Sequence, residues 1–295
     1  MASVGDKGTR FNHHFLEQGA FSVGDKATKI TVGGKSRLFS GSASVGDRVK
    51  MITYNGRRYL IAPFRPIGGD VVAWGDNDFG QCNIPVGLVA TAISARGDHS
   101  LALKPDRSVV AWGLNNFGQC NVPPGLVATA ISGGWYHGLA LKPDGSVVAW
   151  GRNNYGQCNV PLGLVATAIS GGWYHSLALK PDGSVVAWGR NDRGQCNVPP
   201  GLVATAISGG GHHGLALKPD GSVIAWGYNY YGQCNVPPGL LATAIAAGAH
   251  HSLALKSDGS VVAWGYNYHG SCNVPVGLVA TAISAGGYHN VAIKK

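Results

Sequence analysis

The sequence predicts an all-β chain. It reads as a six-bladed β-propeller, with seven blades the alternative count, closed by joining its ends and preceded by a small N-terminal β-hairpin module. Three observations carry this. The block VVAWG begins at Val71, Val109, Val147, Val185 and Val261, with VIAWG at Val223, always 38 residues apart. Within a copy, larger apolar residues alternate with small ones at period two, the pattern of stacked strands. The repeat region opens on a VVAWG strand and ends on the two strands that precede such a strand elsewhere. A fixed period near 40 residues containing short strands signals a propeller or a solenoid. Joining the ends completes one split blade and removes the terminal edges that an open solenoid must cap.

The elements follow in chain order. SVGDKGT at Ser3, SVGDKAT at Ser22 and SVGDRVK at Ser44 form a separate N-terminal repeat. Its second and third copies each predict a hairpin, turning at Gly33-Gly34 and Asn55-Gly56, the latter a strong type I′ signal. This alignment groups residues 49–64 with the N-terminal array rather than with a seventh blade. Residues 1–66 are therefore one module and residues 71–295 the propeller. Such short hairpins rarely stand alone, so the module is expected to pack on the propeller or on a partner.

In the propeller, LVATAIS (Leu126 to Ser132) predicts strand a, HGLALK (from His137) strand b and VVAW (from Val147) strand c. Pro143-Asp144-Gly145-Ser146 makes the b–c turn. GQCNV is expected as an edge strand d. Bulky faces should mesh with small ones between blades, filling space without voids.

Composition narrows the function classes. The net charge is +9, of which residues 1–70 hold +6 (11 Lys and Arg, 5 Asp and Glu). A basic part of this kind suits nucleic acid, an anionic surface or an acidic protein. No run approaches the ~18 apolar residues of a membrane-spanning helix. The start, MASVGDKGTR, lacks an apolar leader core, so synthesis in the cytoplasm without a secretory signal is expected. The six cysteines share the 38-residue period. Equivalent positions on stacked sheets lie about 10 Å apart, too far for a bridge that needs about 7 Å, so reduced, buried thiols are expected. No metal-ligand spacing occurs, and no cofactor is expected. A histidine opens every strand b (His99, His137, His175, His213, His251, His289). Its identical recurrence points to a side-chain hydrogen bond closing each a–b loop. Catalysis would need one copy whose chemistry departs from the rest, and none does, so the chain reads as non-enzymatic.

The variation falls in two places: the a–b loop and the segment after WG. Strand direction puts both on one face. The varied positions are rich in rings and arginines. The candidate binding residues are Trp135, Tyr136, Trp173, Tyr174, Phe79, Phe117, Tyr155, Arg193, Tyr230, Tyr231, Tyr268, His269 and Tyr288, with Arg152, Arg190, Tyr228 and Tyr266 among their neighbours. Exposed Tyr, Trp and Arg give large contact area at low entropic cost. The alternative is drift, with the rings covering blade seams.

The pattern GGxxHSLALKPDGSVVAWGxNxxGQ, clearest over Gly171 to Gln195, resembles the regulator-of-chromosome-condensation repeats, including the bacterial type similar to propeller-type β-lactamase inhibitory protein. The resemblance covers about three quarters of the chain and implies a propeller, usually of seven blades. It further implies two functions, enzyme inhibition and guanine-nucleotide exchange or chromatin binding, with no residues here to assign to either. The VGD…NGRxYxIAP pattern resembles adaptor segments of phage and virion structural proteins, which implies an anchor in a particle or other assembly. The residues thus predict a binding module for a protein or glycan, with nucleic acid a lesser partner class.

Overall fold

The computed structural model describes residues 68–295 throughout and, before them, five strands: His14–Glu17, Lys29–Val32, Lys35–Leu38, Lys50–Tyr54 and Arg57–Ala62. The chain divides into two units, Met1–Ile67 and Gly68–Lys295. In the first, Lys29–Val32 pairs antiparallel with Lys35–Leu38, and Arg57–Ala62 lies between Lys50–Tyr54 and His14–Glu17. Both predicted hairpins form. Their turns, and the SVGD segments, lie outside the described residues. Both edges of Arg57–Ala62 are occupied within its own unit, so it is not strand b of a seventh blade.

The second unit is built from the repeat. In the second copy, strand a (Ala130–Gly133), strand b (His137–Leu141) and strand c (Val147–Gly151) form an antiparallel sheet in the order a-b-c. Strand b is buried along its whole length, and five such three-stranded sheets occur. Leu139 and Leu141 of one blade pack on Ala166, Ala178 and Trp188 of the next. Bulky therefore meets small between blades, and the same cluster recurs at the neighbouring seams.

Strand a is shorter than expected. Val127 leaves the sheet to bridge Ser108 of the preceding copy, and its side chain is exposed. The b–c turn forms as expected: Asp144 accepts from the Ser146 N–H at 2.9 Å and from its hydroxyl at 2.6 Å. Gly145 takes φ 82°, a left-handed value that favours glycine. In the first copy Arg107 occupies that position at φ 69°, the one non-glycine residue with positive φ among the described residues.

GQCNV is not a strand. The Asn115 side chain takes the bonds that a strand edge would use, accepting from the Cys120 N–H and donating to Asn121 Oδ1. A compact turn results, and it buries Gln119. The Gln119 carbonyl then accepts the Trp150 indole N–H of the next copy at 2.9 Å. The cysteines are free, and half-buried rather than fully buried. Each Sγ donates to the carbonyl six residues earlier, at 3.2 Å in Cys158 and Cys196. Burial pushes the Cys158 thiol up to about 11.

Consecutive a strands surround a common axis. The Ser132 hydroxyl accepts from the Gly171 N–H one copy on, and Ser94, Ser170 and Ser208 repeat the contact. Arg96, at the end of the first a strand, donates to the carbonyls of Gly171, Gly209 and Ala247, which belong to three further blades.

The ends are not joined. Val71–Gly75 forms no strand, and Trp74 is 83% exposed whereas its five equivalents are buried. At the other end, Asn290–Lys294 pairs only with Ala280–Ala285 and is exposed throughout. Each end is held by its neighbour. Gly69–Asp70 pairs with Val89–Ala90, and Val71 packs beside Leu88 and Trp112, while Asn290 bonds to Ser271. These positions do not bring the two halves of the split blade together.

This predicts a contrast between two tryptophans. Trp188→Phe deletes the indole N–H that Gln157 accepts and should cost about 1–3 kcal/mol. Trp74→Phe should stay within about 0.5 kcal/mol. Urea unfolding of both variants checks this, and equal losses would mean that the ends do meet in solution.

Candidate functional site

The face formed by the a–b loops and the segments after strand c is fixed from below. In the second copy the a–b loop closes through its backbone, Gly134 N–H to His137 carbonyl at 2.8 Å. The His137 side chain does something other than the expected loop closure: its Nε2 meets Ser176 Oγ of the next copy at 3.0 Å. His213 does the same with Ser252, and His251 with Asn290. The residue after the histidine alternates between serine and glycine in the first five copies, so His99 and His175 face Gly138 and Gly214 and have no side-chain partner among the described residues. A Cβ on Gly134 would lie 2.1 Å from the His137 ring, which requires glycine there. On Gly151 a Cβ would lie 2.7 Å from the Tyr136 carbonyl, at φ 99°. Those two glycines set the bases of the two variable loops.

The loops meet on one face, as strand direction predicted. The Phe117 and Tyr136 ring centroids are 5.1 Å apart, and Trp135 lies 6.2 Å from Tyr136. The contacts continue through successive copies. Trp135 stands edge-on to Trp173 at 4.7 Å, and Tyr155 edge-on to Tyr174 at 5.4 Å. Trp173 reaches His212 and His250 at 5.0 and 5.1 Å. Tyr231 touches Tyr230, His250 and Tyr266. His269 joins Tyr268 to Tyr288 at 5.2 and 5.0 Å. Tyr230 and Tyr268 are 78% and 83% exposed, whereas Trp135, Tyr136, Trp173 and Tyr174 are half-buried. Rings therefore cover seams and still present surface.

Arginines lie on these rings. The Arg152 guanidinium sits 4.6 Å from the Phe117 centroid, that of Arg190 4.9 Å from Tyr155, and that of Arg193 4.8 Å from Tyr228. Phe79 stands apart from the predicted set. It is exposed and makes no ring contact among the described residues, because the loop facing it carries Gly97-Asp98 instead of Trp-Tyr. His212 and His250, which link the two halves of the array, were missing from the candidates. Arg96 was missing too. Its signal was legible, since the other five copies place glycine there.

The electrostatics are uneven. Asp76, Asp78 and Asp98 sit at the first-copy end, where burial and then Asp76 raise the Asp98 carboxyl. Burial holds His137 and His213 down to about 3, with Arg96 adding to the effect, so both are neutral donors or acceptors. Among the described residues, no three His, Cys, Asp or Glu side chains are grouped as a metal would need, and no helix is long and apolar enough to cross a membrane.

Residues 90–119, 128–157, 166–195, 204–233 and 242–271, just over half the chain, match the regulator of chromosome condensation (RCC1) repeat. No curated protein sequence matches the chain. Solved structures do. The ectodomain of the Physcomitrella patens receptor kinase CR4 aligns with TM-score 0.63 at 23% identity over 71% of this chain, which spans 60% of that ectodomain. The CRINKLY WD40 ectodomain of the Arabidopsis thaliana receptor kinase ACR4 gives 0.64 at 22%, covering 76% of this chain and 84% of its own. Prp20p from Saccharomyces cerevisiae, described with its binding properties to Gsp1p and histones, gives 0.65 at 20%, covering 75% and 78%. At these identities the likeness is one of fold.

The buried histidines and the turn aspartates predict acid sensitivity. An unfolded histidine takes up a proton below pH 6.5, whereas folded His99 waits until about 4 and His137 until about 3. Their stabilisation is complete above pH 6.5 and is lost as pH falls towards 3. Asp144, Asp182, Asp220 and Asp258, held down to about 2 by Ser hydroxyls and N–H groups and by lysines, add a loss between 3.8 and about 2. Calorimetry should show the melting temperature falling from just below neutral pH. A level profile down to about pH 4 would contradict the burial of neutral histidines.

Proposed function

The chain belongs to the regulator of chromosome condensation (RCC1) repeat family, and from that premise we propose that it is a non-enzymatic recognition module whose aromatic face binds a partner protein. The observation that carries this is the unbroken series of ring contacts from Phe117 to Tyr288, with Tyr230, Tyr231, Tyr268 and His269 open to solvent. Rigid rings already packed on one another lose little freedom on binding. Protein is favoured over glycan because the fold relative with described partners, yeast Prp20p (RCC1), binds proteins: Gsp1p and histones, and Kap60. In this reading residues 1–66 anchor the module in a larger assembly, of which a virion is one candidate. Enzyme inhibition and nucleotide-exchange regulation are special cases of the same face engaging a protein.

Half-buried Trp135 and Trp173 serve both seam and surface, so they are poor reporters of binding alone. Tyr230→Ala with Tyr268→Ala removes the two most exposed tyrosines of this face. The melting temperature should hold within about 2 °C. Affinity for the protein captured by the wild-type chain should fall by about tenfold or more, and added salt should weaken wild-type binding only modestly, whereas phosphate-driven binding falls steeply. Unchanged affinity in the double variant would sink the proposal.

A further inference from the structure

The charges on this face single out one partner chemistry. On the opposite, turn side, Lys104, Lys142, Lys180, Lys218 and Lys256 each pair with the aspartate two residues on, at 3.2 or 3.3 Å. Apart from Arg107 and Lys294, that side is balanced turn by turn. The aromatic face is not. Asp76, Asp78 and Asp98 gather at one end, and Arg152, Arg190 and Arg193 face a single carboxylate, Asp192.

Arg190 and Arg152 occupy the same position in successive copies, and their partners differ. Arg190 donates through Nε and Nη2 to both Asp192 oxygens, at 2.8 and 2.6 Å, a two-pronged pair. Two residues beyond Arg152 stands Asn154, which carries no charge. Arg152 is held instead by rings, its guanidinium carbon 4.6, 5.4 and 5.6 Å from the Phe117, Tyr136 and Tyr174 centroids. Its Nε is buried and has no partner among the described residues, and no carboxylate there pairs with it. It is therefore a cation fixed in place by three rings and lacking an anion among the described residues.

Resting on the recognition reading above, we propose that Arg152, in its box of Phe117, Tyr136 and Tyr174, is the receptor for a carboxylate on an acidic segment of the partner protein. The planar guanidinium matches a carboxylate, and its orientation is set before binding, so little rotamer freedom is lost. The Arg190–Asp192 pair shows what occupancy looks like: the carboxylate is supplied from within one copy and must come from outside in the other.

The repeat supplies its own test. Asn154→Asp places a carboxylate where Asp192 stands relative to Arg190, and so fills the site from within. Capped hexaglutamate, capped hexaglutamine and inorganic phosphate are titrated against the full chain by calorimetry, and the Arg152 Nε–H resonance is followed by NMR. Hexaglutamate should bind and shift that resonance, and hexaglutamine should not. Asn154→Asp should weaken hexaglutamate by about tenfold or more, and Arg152→Lys by a similar factor because the fork is lost. Asp192→Asn should tighten it several-fold by freeing Arg190. Equal binding of hexaglutamine, or an unchanged affinity in Asn154→Asp, overturns the assignment. Phosphate binding as tight as hexaglutamate overturns its carboxylate selectivity. The tyrosine variants are read with the captured partner, so they can still report on the broader function if this site fails.

Discussion

One carbonyl oxygen per copy organises the repeat unit. The Gln157 carbonyl, at the base of the turn after strand c, accepts the Trp188 indole N–H and the Ser176 hydroxyl of the next copy, both at 2.9 Å. Gln81 and Gln233 receive the same two donors, and Gln119 and Gln195 receive the indole alone where the next copy has Gly138 or Gly214. The buried turn, the indole and strand b are thereby locked in one arrangement across each seam. That explains why Asn153, Gly156 and Gln157 recur unchanged: the asparagine shapes the turn, the glycine takes φ 77°, and the glutamine presents the carbonyl. Trp74 and Ser271 are the exceptions. The first stands exposed without such a bond among the described residues, and the second receives only Asn290.

A seam fixed this way separates stability from recognition. Side chains below the face are buried and repeated, and those above it are free to differ. The aromatic array grows out of that freedom. Its rings follow the fixed spacing of the copies, so Phe117 meets Tyr136 and Tyr231 meets Tyr266 without dedicated supports. Charge follows a different rule. The turn side neutralises the lysine of each of five b–c turns within its own copy, whereas the ring side leaves carboxylates at one end and guanidinium groups in the middle. A partner meeting such a face is oriented as well as attracted.

Arg96 shows how one departure from the repeat can matter more than many. Every other copy has a glycine there, and only this copy sends a long cation to the axis. Its guanidinium binds three carbonyls at the ends of a strands, and burial lowers it to about 10. It ties the first blade to the third, fourth and fifth, contacts that no neighbour-to-neighbour repeat could supply.

The 38-residue period, the alternation within strands b and c and the PDGS turn were sufficient to read the blade from the sequence, because each is a local property repeated until chance is excluded. Clustering of the variable loops on one face was also legible, since strand direction alone decides it. What lay beyond reach was everything that depends on which copy touches which. GQCNV reads as a strand in isolation, and only the seam reveals it as a buried turn holding an indole. The histidines read as loop closures, and only the packed blades show His137 and His213 reaching for a serine 39 residues away. Joining of the ends was a reasonable inference from pairing rules. The structure decided otherwise, because the position of each terminal segment is set by the blade it packs on and not by its complement at the far end of the chain.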